Sequence, residues 1–310
     1  MGAQSIPFLF IIDFTMKSPI VYAANEIPQN VLFKTGLYKN YRELQQANSK
    51  FHFRSLPPKL SEYREAFEKV MDNIKRGNTY LLNLTFPSGI VTNFNLTEIF
   101  YLSKARFKLL YRNDFVVFSP EIFIEIKNNK ILTYPMKGTI DADFAGAEEK
   151  LLTNVKELAE HNTVVDLLRN DLSIVSKNVS VEKFRYIEKI KTSHGSILQS
   201  SSQICGNLPS NYKEKLGDII FSLLPAGSIS GAPKQKTLEI ILETETYDRG
   251  YYSGVFGYFD GINLDSCVMI RFIENQNEKL IYKSGGGITM KSDLDSEYQE
   301  LIKKIYVPVT

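Results

Sequence analysis

Apolar residues recur at two spacings along this chain, and the spacing changes from segment to segment. Residues 6–14, 20–24, 80–86, 115–118, 122–126 and 130–134 are short runs rich in β-branched and aromatic side chains, bounded by polar turn formers, and they predict strands. Within residues 61–76, Tyr63, Phe67, Val70 and Ile74 fall three or four apart, so one side of a helix is apolar, and Gly77 stands where that helix would stop. Residues 147–168 predict a longer amphipathic helix, residues 251–259, 266–273 and 279–283 return to strand patterning, and residues 293–305 predict a closing helix. Strand and helix do not alternate in strict βαβ order. That disfavours a doubly wound sheet and predicts an α+β fold, with antiparallel sheets covered by helices. No repeat, low-complexity tract or linker divides the sequence, so residues 1–310 are expected to form a single domain.

The length of 310 residues and an apolar fraction of 43% suffice for a sizeable core. Lysine and arginine number 37 against 35 aspartates and glutamates, a net charge of +2 that favours neither nucleic acid nor an anionic membrane. The apolar run from Ile6 to Ile12 lacks a basic leader, is too short for a bilayer and ends in Asp13, so it reads as a buried strand rather than a signal or anchor. Cys205 and Cys267 belong to no CxxC or Cys/His cluster; they read as small core residues of a protein kept in a reducing cytoplasm.

Several segments could carry chemistry. Glu157 and Glu160 lie three apart, on one helical face, followed by His161; Glu297 and Glu300 repeat the spacing on the last helix. Such pairs are solvated acidic faces, or, where two helices meet, a hard oxygen site suited to Mg²⁺. Gly285, Gly286 and Gly287 follow an apolar strand and make either a flexible turn or a backbone cradle for a carboxylate. Neither a Walker motif nor GxGxxG is present to favour a nucleotide. Lys137 ends a strand, where lysine is usually a surface charge but can, when desolvated, act as an amine nucleophile. Arg271 falls inside the apolar run 268–273 and needs an anionic partner from the protein or from a ligand. His194 and Tyr258 read by themselves as structural.

Taken in order, these segments resemble the family of chorismate-utilising enzymes. The resemblance covers most of the chain: Ser119-Pro120-Glu121, residues 135–139, Ala159-Glu160-His161 leading to Asp166-Leu167-Leu168-Arg169-Asn170-Asp171-Leu172, His194, residues 225–234, residues 249–258, Ile270-Arg271, residues 285–288 and Glu297-Tyr298. It implies two antiparallel sheets in a sandwich-like core, a chorismate site at their junction, one Mg²⁺ on the ring carboxylate and no organic cofactor. By resemblance, Glu160 and Glu297 match metal ligands, with Glu157 and Glu300 as direct or water-mediated partners. Arg271 and Tyr258 match residues that hold the enolpyruvyl carboxylate; Gly138, Thr139 and the amides of Gly285, Gly286 and Gly287 match ring-carboxylate contacts. His194 matches a substrate-side histidine and Lys304 a carboxylate-binding lysine.

Within the family, Pro135-Met136-Lys137-Gly138-Thr139 resembles members that place nitrogen at C4 of chorismate, the aminodeoxychorismate synthases, whereas anthranilate synthases typically have a small residue at position 137. The resemblance then implies that Lys137 attacks C2 and that Glu121 protonates the departing hydroxyl. Leu81 stands where hydrating members have a lysine, and leucine cannot activate water. Leu81, Ile122 and Ile140 also depart from the glutamine, arginine and arginine usual in aminating members. The expected partners are chorismate, ammonia from a separate glutamine amidotransferase subunit, and a lyase that forms 4-aminobenzoate for folate synthesis. The N-terminal region is shorter than in full-length relatives, so no tryptophan feedback is expected. The alternatives are an anthranilate synthase component, and a non-catalytic paralogue that binds chorismate as a sensor.

Overall fold

Every residue of the strand Phe8–Ile12 is buried, which is possible only for a strand covered on both faces. Side chains alternate across a strand, so Leu9 and Ile11 enter one apolar cluster while Phe8, Phe10 and Ile12 enter another. That division runs through the whole molecule, which is described from a computed structural model over residues 1–43, 50–192 and 195–309. A nine-stranded and an eight-stranded antiparallel sheet pack face to face. Leu9, Ile11, Phe256 and Cys267 of the first meet Phe33, Phe107, Val117 and Phe272 of the second in the middle layer. The outer face of the nine-stranded sheet is covered by the helices Val155–Val175 and Leu216–Ser222. That of the eight-stranded sheet is covered by Leu60–Lys75, Leu96–Leu102, Lys234–Thr244 and Leu294–Lys303. The architecture is the expected α+β one of two antiparallel sheets under helices.

Three differences from the sequence pattern matter for the site. The helix expected over 147–168 is two helices, Ala147–Thr153 and Val155–Val175, because the Asn154 side chain accepts from Glu157 N at 3.1 Å and starts a new helix. The strand expected over 266–273 is split: Leu264–Val268 belongs to the nine-stranded sheet and Phe272–Gln276 to the other. Between them Arg271 has φ 53°, a left-handed conformation rare outside glycine and asparagine, where the chain passes from sheet to sheet. Third, residues 285–287 are not a turn. The strand Lys279–Thr289 runs straight through them, paired with Leu81–Thr92. A Cβ at Gly285 would lie 2.4 Å from Leu84 O, so glycine is what lets the two backbones close up.

Candidate active site

A cavity of about 300 Å³ opens where the two sheets meet the helix Val155–Val175. Its wall from the eight-stranded sheet is the glycine strand. Residues 279–283 pair with Phe272–Gln276 on one side, but from Ser284 onward the strand is paired, among the described residues, only with Leu81–Thr92. Alternate backbone N–H groups of residues 284–289 therefore turn toward the cavity, and Gly285, Gly286 and Gly287 add no side chain to screen them. A strand edge of this kind can cradle an anion.

Charged groups surround that edge. Lys137 lies on the strand Met136–Asp141, and its Nζ is 3.6 Å from Glu160 Oε2. A Cβ at Gly287 would lie 3.7 Å from the same Nζ. Lys304, at the end of the last helix, donates to Gly285 O at 2.9 Å and pairs with Glu300 at 2.7 Å. A Cβ at Gly286 would lie 3.5 Å from Glu297 Oε2 and 3.6 Å from Glu300 Oε1, so both carboxylates face the glycine edge. Glu297 is held in place by Ser292, whose hydroxyl donates to its Oε1 at 2.7 Å. Glu157 instead faces Gly138, where a Cβ would lie 3.0 Å from its Oε2. Arg271 lines the cavity, and no carboxylate pairs with it among the described residues; its buried Nε lacks a partner there too. Its guanidinium lies over the Tyr306 ring, 5.0 Å from the centroid, a contact that supplies no counter-charge.

Glu121 lies in the same cavity, its Oε1 accepting from Ser228 Oγ at 2.5 Å. Burial pushes its carboxyl above the usual carboxylate range, against the opposing pull of Ser228, Lys137, Lys304 and Arg271. Next to Ser228, a Cβ at Gly227 would lie 2.7 Å from Asp171 Oδ2, and Asp171 pairs with Lys234 at 2.9 Å. A second cavity of about 200 Å³, with Glu160, Thr163, Met290 and Lys291 in its wall, meets the first at Leu81, Lys137 and Val164.

Some expected residues lie elsewhere. Tyr258 is buried in the middle layer, opposite Leu9 and stacked on Tyr38 with ring centroids 5.0 Å apart, because its position in the strand Val255–Phe259 turns it between the sheets. Tyr252, six residues earlier, lines the cavity with Arg271, and burial pushes its hydroxyl up to about 12. Thr139 is exposed and does not line the cavity; it sits opposite Gln199 on the neighbouring strand. His194 lies outside the described residues. His161 is fully buried: its Nε2 is 2.7 Å from Ser202 Oγ, and burial lowers the imidazole to about 4, so it is neutral. Of the three departures, Leu81 and Ile122 line the cavity and Ile140 does not. Asn83, Gln199, Ser228, Tyr252 and Lys283 are cavity residues that hydropathy patterning did not single out. Lys283 is committed elsewhere, donating to the carbonyls of Asp248 at 3.2 Å and Arg249 at 3.0 Å and pairing with Glu274 at 2.9 Å.

Among the described residues, no three Asp, Glu, His or Cys groups are gathered closely enough to hold a metal by themselves. Carboxylates facing a glycine edge suit Mg²⁺, which takes one or two of them and completes its shell with waters and an anionic ligand. They do not suit a cation that needs an all-protein cage.

The chain matches the chorismate binding enzyme family over residues 18–310. An uncharacterized PabA-like protein of Pasteurella multocida is 50% identical over 315 residues, covering 99% of this chain and 96% of that one. Aminodeoxychorismate synthase component 1 of Bacillus subtilis is 32% identical over 266 residues, covering 79% of this chain and 54% of that protein. The crystal structure of anthranilate synthase component I from Streptococcus pneumoniae superposes with a TM-score of 0.70 at 26% identity, covering 83% of this chain and 59% of that one.

Proposed function

Because the chain belongs to the chorismate binding enzyme family, we propose that it converts chorismate and ammonia to 4-amino-4-deoxychorismate, with Lys137 as nucleophile. The observation that carries this reading is the position of Lys137 Nζ, at the glycine edge and at the meeting point of the two cavities. An amine there can form a covalent bond to the ring.

The substrate is a dicarboxylate. Arg271, with Tyr252 beside it, takes one carboxylate, and the open edge of residues 284–289 with Lys304 takes the other. Glu160 and Glu297 would hold Mg²⁺, with Glu157 and Glu300 as candidate partners through water; when bound, it would supply positive charge for the ring carboxylate. Lys137 Nζ bonds to C2 as the two ring double bonds shift and the C4–O bond breaks. The leaving hydroxyl takes the Glu121 proton and departs as water. A carboxyl raised by burial holds its proton to higher pH than an ordinary carboxyl does, as a general acid must. Ammonia then bonds to C4, the double bonds shift back, the C2–N bond breaks to free Lys137, and the surplus proton returns to Glu121. The apolar side chain of Leu81 beside Lys137 disfavours activated water and hence hydration.

Ammonia would come from a separate glutamine amidotransferase, since Cys205 and Cys267 are both buried and neither can serve as a glutaminase thiolate. Chorismate, Mg²⁺ and ammonium incubated with the purified chain should give aminodeoxychorismate by mass spectrometry, with glutamine replacing ammonium only when an amidotransferase subunit is added. Fluorescent anthranilate as the main product would overturn the assignment in favour of an anthranilate synthase, and no turnover would favour a chorismate-binding paralogue.

A further inference from the structure

Two carboxamides in the main cavity have no task in that mechanism. Asn83 and Gln199 both line it, and neither side chain has a hydrogen-bond partner among the described residues. Asn83 is opposite Gly287 on the neighbouring strand and two residues from Leu81, so the three share one face. On that face a Cβ at Gly287 would lie 3.1 Å from Leu81 Cδ1 and 3.7 Å from Lys137 Nζ, which sets Asn83 on the Lys137 side. Its backbone is fixed from behind. Arg249 donates to the Asn83 carbonyl at 2.6 Å and to Glu245 Oε1 at 2.7 Å, inside a fully buried ion pair. Gln199 reaches the cavity from the other sheet, opposite Thr139 and so two residues beyond Lys137.

The anionic groups of a ligand are already served by Arg271, Lys304 and the glycine edge. A carboxamide is neutral and offers both donor and acceptor, which complements a hydroxyl or an amine. Turned into a cavity without a partner, it is costly once water is expelled, unless the ligand satisfies it. We propose that Asn83 and Gln199 form a specificity-determining pair that hydrogen-bonds the neutral ring substituent, the C4 hydroxyl of the substrate and the amine that replaces it. This rests on the chorismate reading of the site.

The test is calorimetric binding to the full chain with Mg²⁺ and without ammonia, comparing chorismate with the analogue that lacks the C4 hydroxyl. At about tenfold per hydrogen bond, the wild type should prefer chorismate by roughly 100-fold. Asn83→Leu and Gln199→Met should each lower that ratio about tenfold while leaving affinity for the analogue unchanged. A wild-type ratio in all variants, or equal binding of the two ligands to the wild type, overturns the proposal alone. A wild type that binds neither ligand removes the chorismate reading and the proposal with it.

Discussion

Lys137 and Glu121 divide the work of one substitution, and each can be removed without collapsing the cavity. Replacing Lys137 by alanine removes the nucleophile and its contact with Glu160, but it leaves Arg271, Lys304 and the glycine edge in place. Lys137→Ala should therefore lose amination by at least about 10³-fold while chorismate still binds with Mg²⁺, measured by product formation and calorimetry. Wild-type turnover would exclude the covalent step. Glu121 sets a pH limit. Its raised pKa keeps it protonated, and active as an acid, to higher pH than an ordinary carboxyl; activity is lost as pH rises through that value. Glu121→Gln should lower kcat by roughly 10²- to 10⁴-fold and abolish the alkaline limb of the kcat profile. An unchanged limb would assign the acid to another group. At this scale the sequence shows residue types but not directions. Glu297 and Glu300 were legible from spacing, whereas Tyr258 and Tyr252 look alike as letters, and only the turn at 251–254 before the strand Val255–Phe259 decides which one meets Arg271. Asn83 and Gln199 lie inside strands, where a polar residue reads as a solvent-facing one.

At the scale of elements, the glycine strand makes two substitutions of similar chemistry behave differently. A methyl group at Gly285 would meet Leu84 O at 2.4 Å, a backbone atom that moves only if the strand pair separates. At Gly286 the nearest atoms are the carboxylates of Glu297 and Glu300 at 3.5 and 3.6 Å, ordinary contact distances on side chains that can yield. Gly285→Ala should thus lower stability by about 1–3 kcal/mol, read by urea unfolding. Gly286→Ala should leave the unfolding midpoint nearly unchanged and raise the Mg²⁺ concentration needed for half-maximal rate. If both variants lose stability equally, the strand is not closed as described. Three consecutive glycines after an apolar run read equally as a turn. The pairing partner that makes them a strand lies about 200 residues away in sequence, beyond any local pattern. Asn154 is the opposite case, a local cap three residues before Glu157 that divides two helices where the helical pattern over 147–168 reads as one.

At the scale of the whole molecule, the seam between the sheets buries two carboxylates, Asp265 and Glu125, as cross-strand neighbours. Arg106 pairs with Glu125 and stands 3.9 Å from Asp265; Lys127 pairs with Glu125 at 2.9 Å, and Tyr134, whose side chain also borders the active cavity, donates to Glu125 at 3.0 Å. Asp265 Oδ2 accepts from Gly36 N at 2.5 Å, while its Oδ1, the atom nearest Arg106, accepts no hydrogen bond among the described residues. Burial, only partly offset by Arg106, raises the Asp265 pKa from 3.8 to about 6. An acid whose folded pKa is raised stabilises the fold fully below its unfolded value and loses that contribution as pH rises through the folded one. Across the window from pH 4 to pH 7, Asp265 should thus remove about 2 kcal/mol of stability. Asp265→Asn keeps the oxygen that Gly36 needs and cannot ionise. Urea unfolding at both pH values should show the wild type losing about 2 kcal/mol more than Asp265→Asn over that interval. Equal losses would mean that the seam accommodates the charge, and that Arg106 neutralises Asp265 as fully as it would need to in order to hold two ionised carboxylates between the sheets.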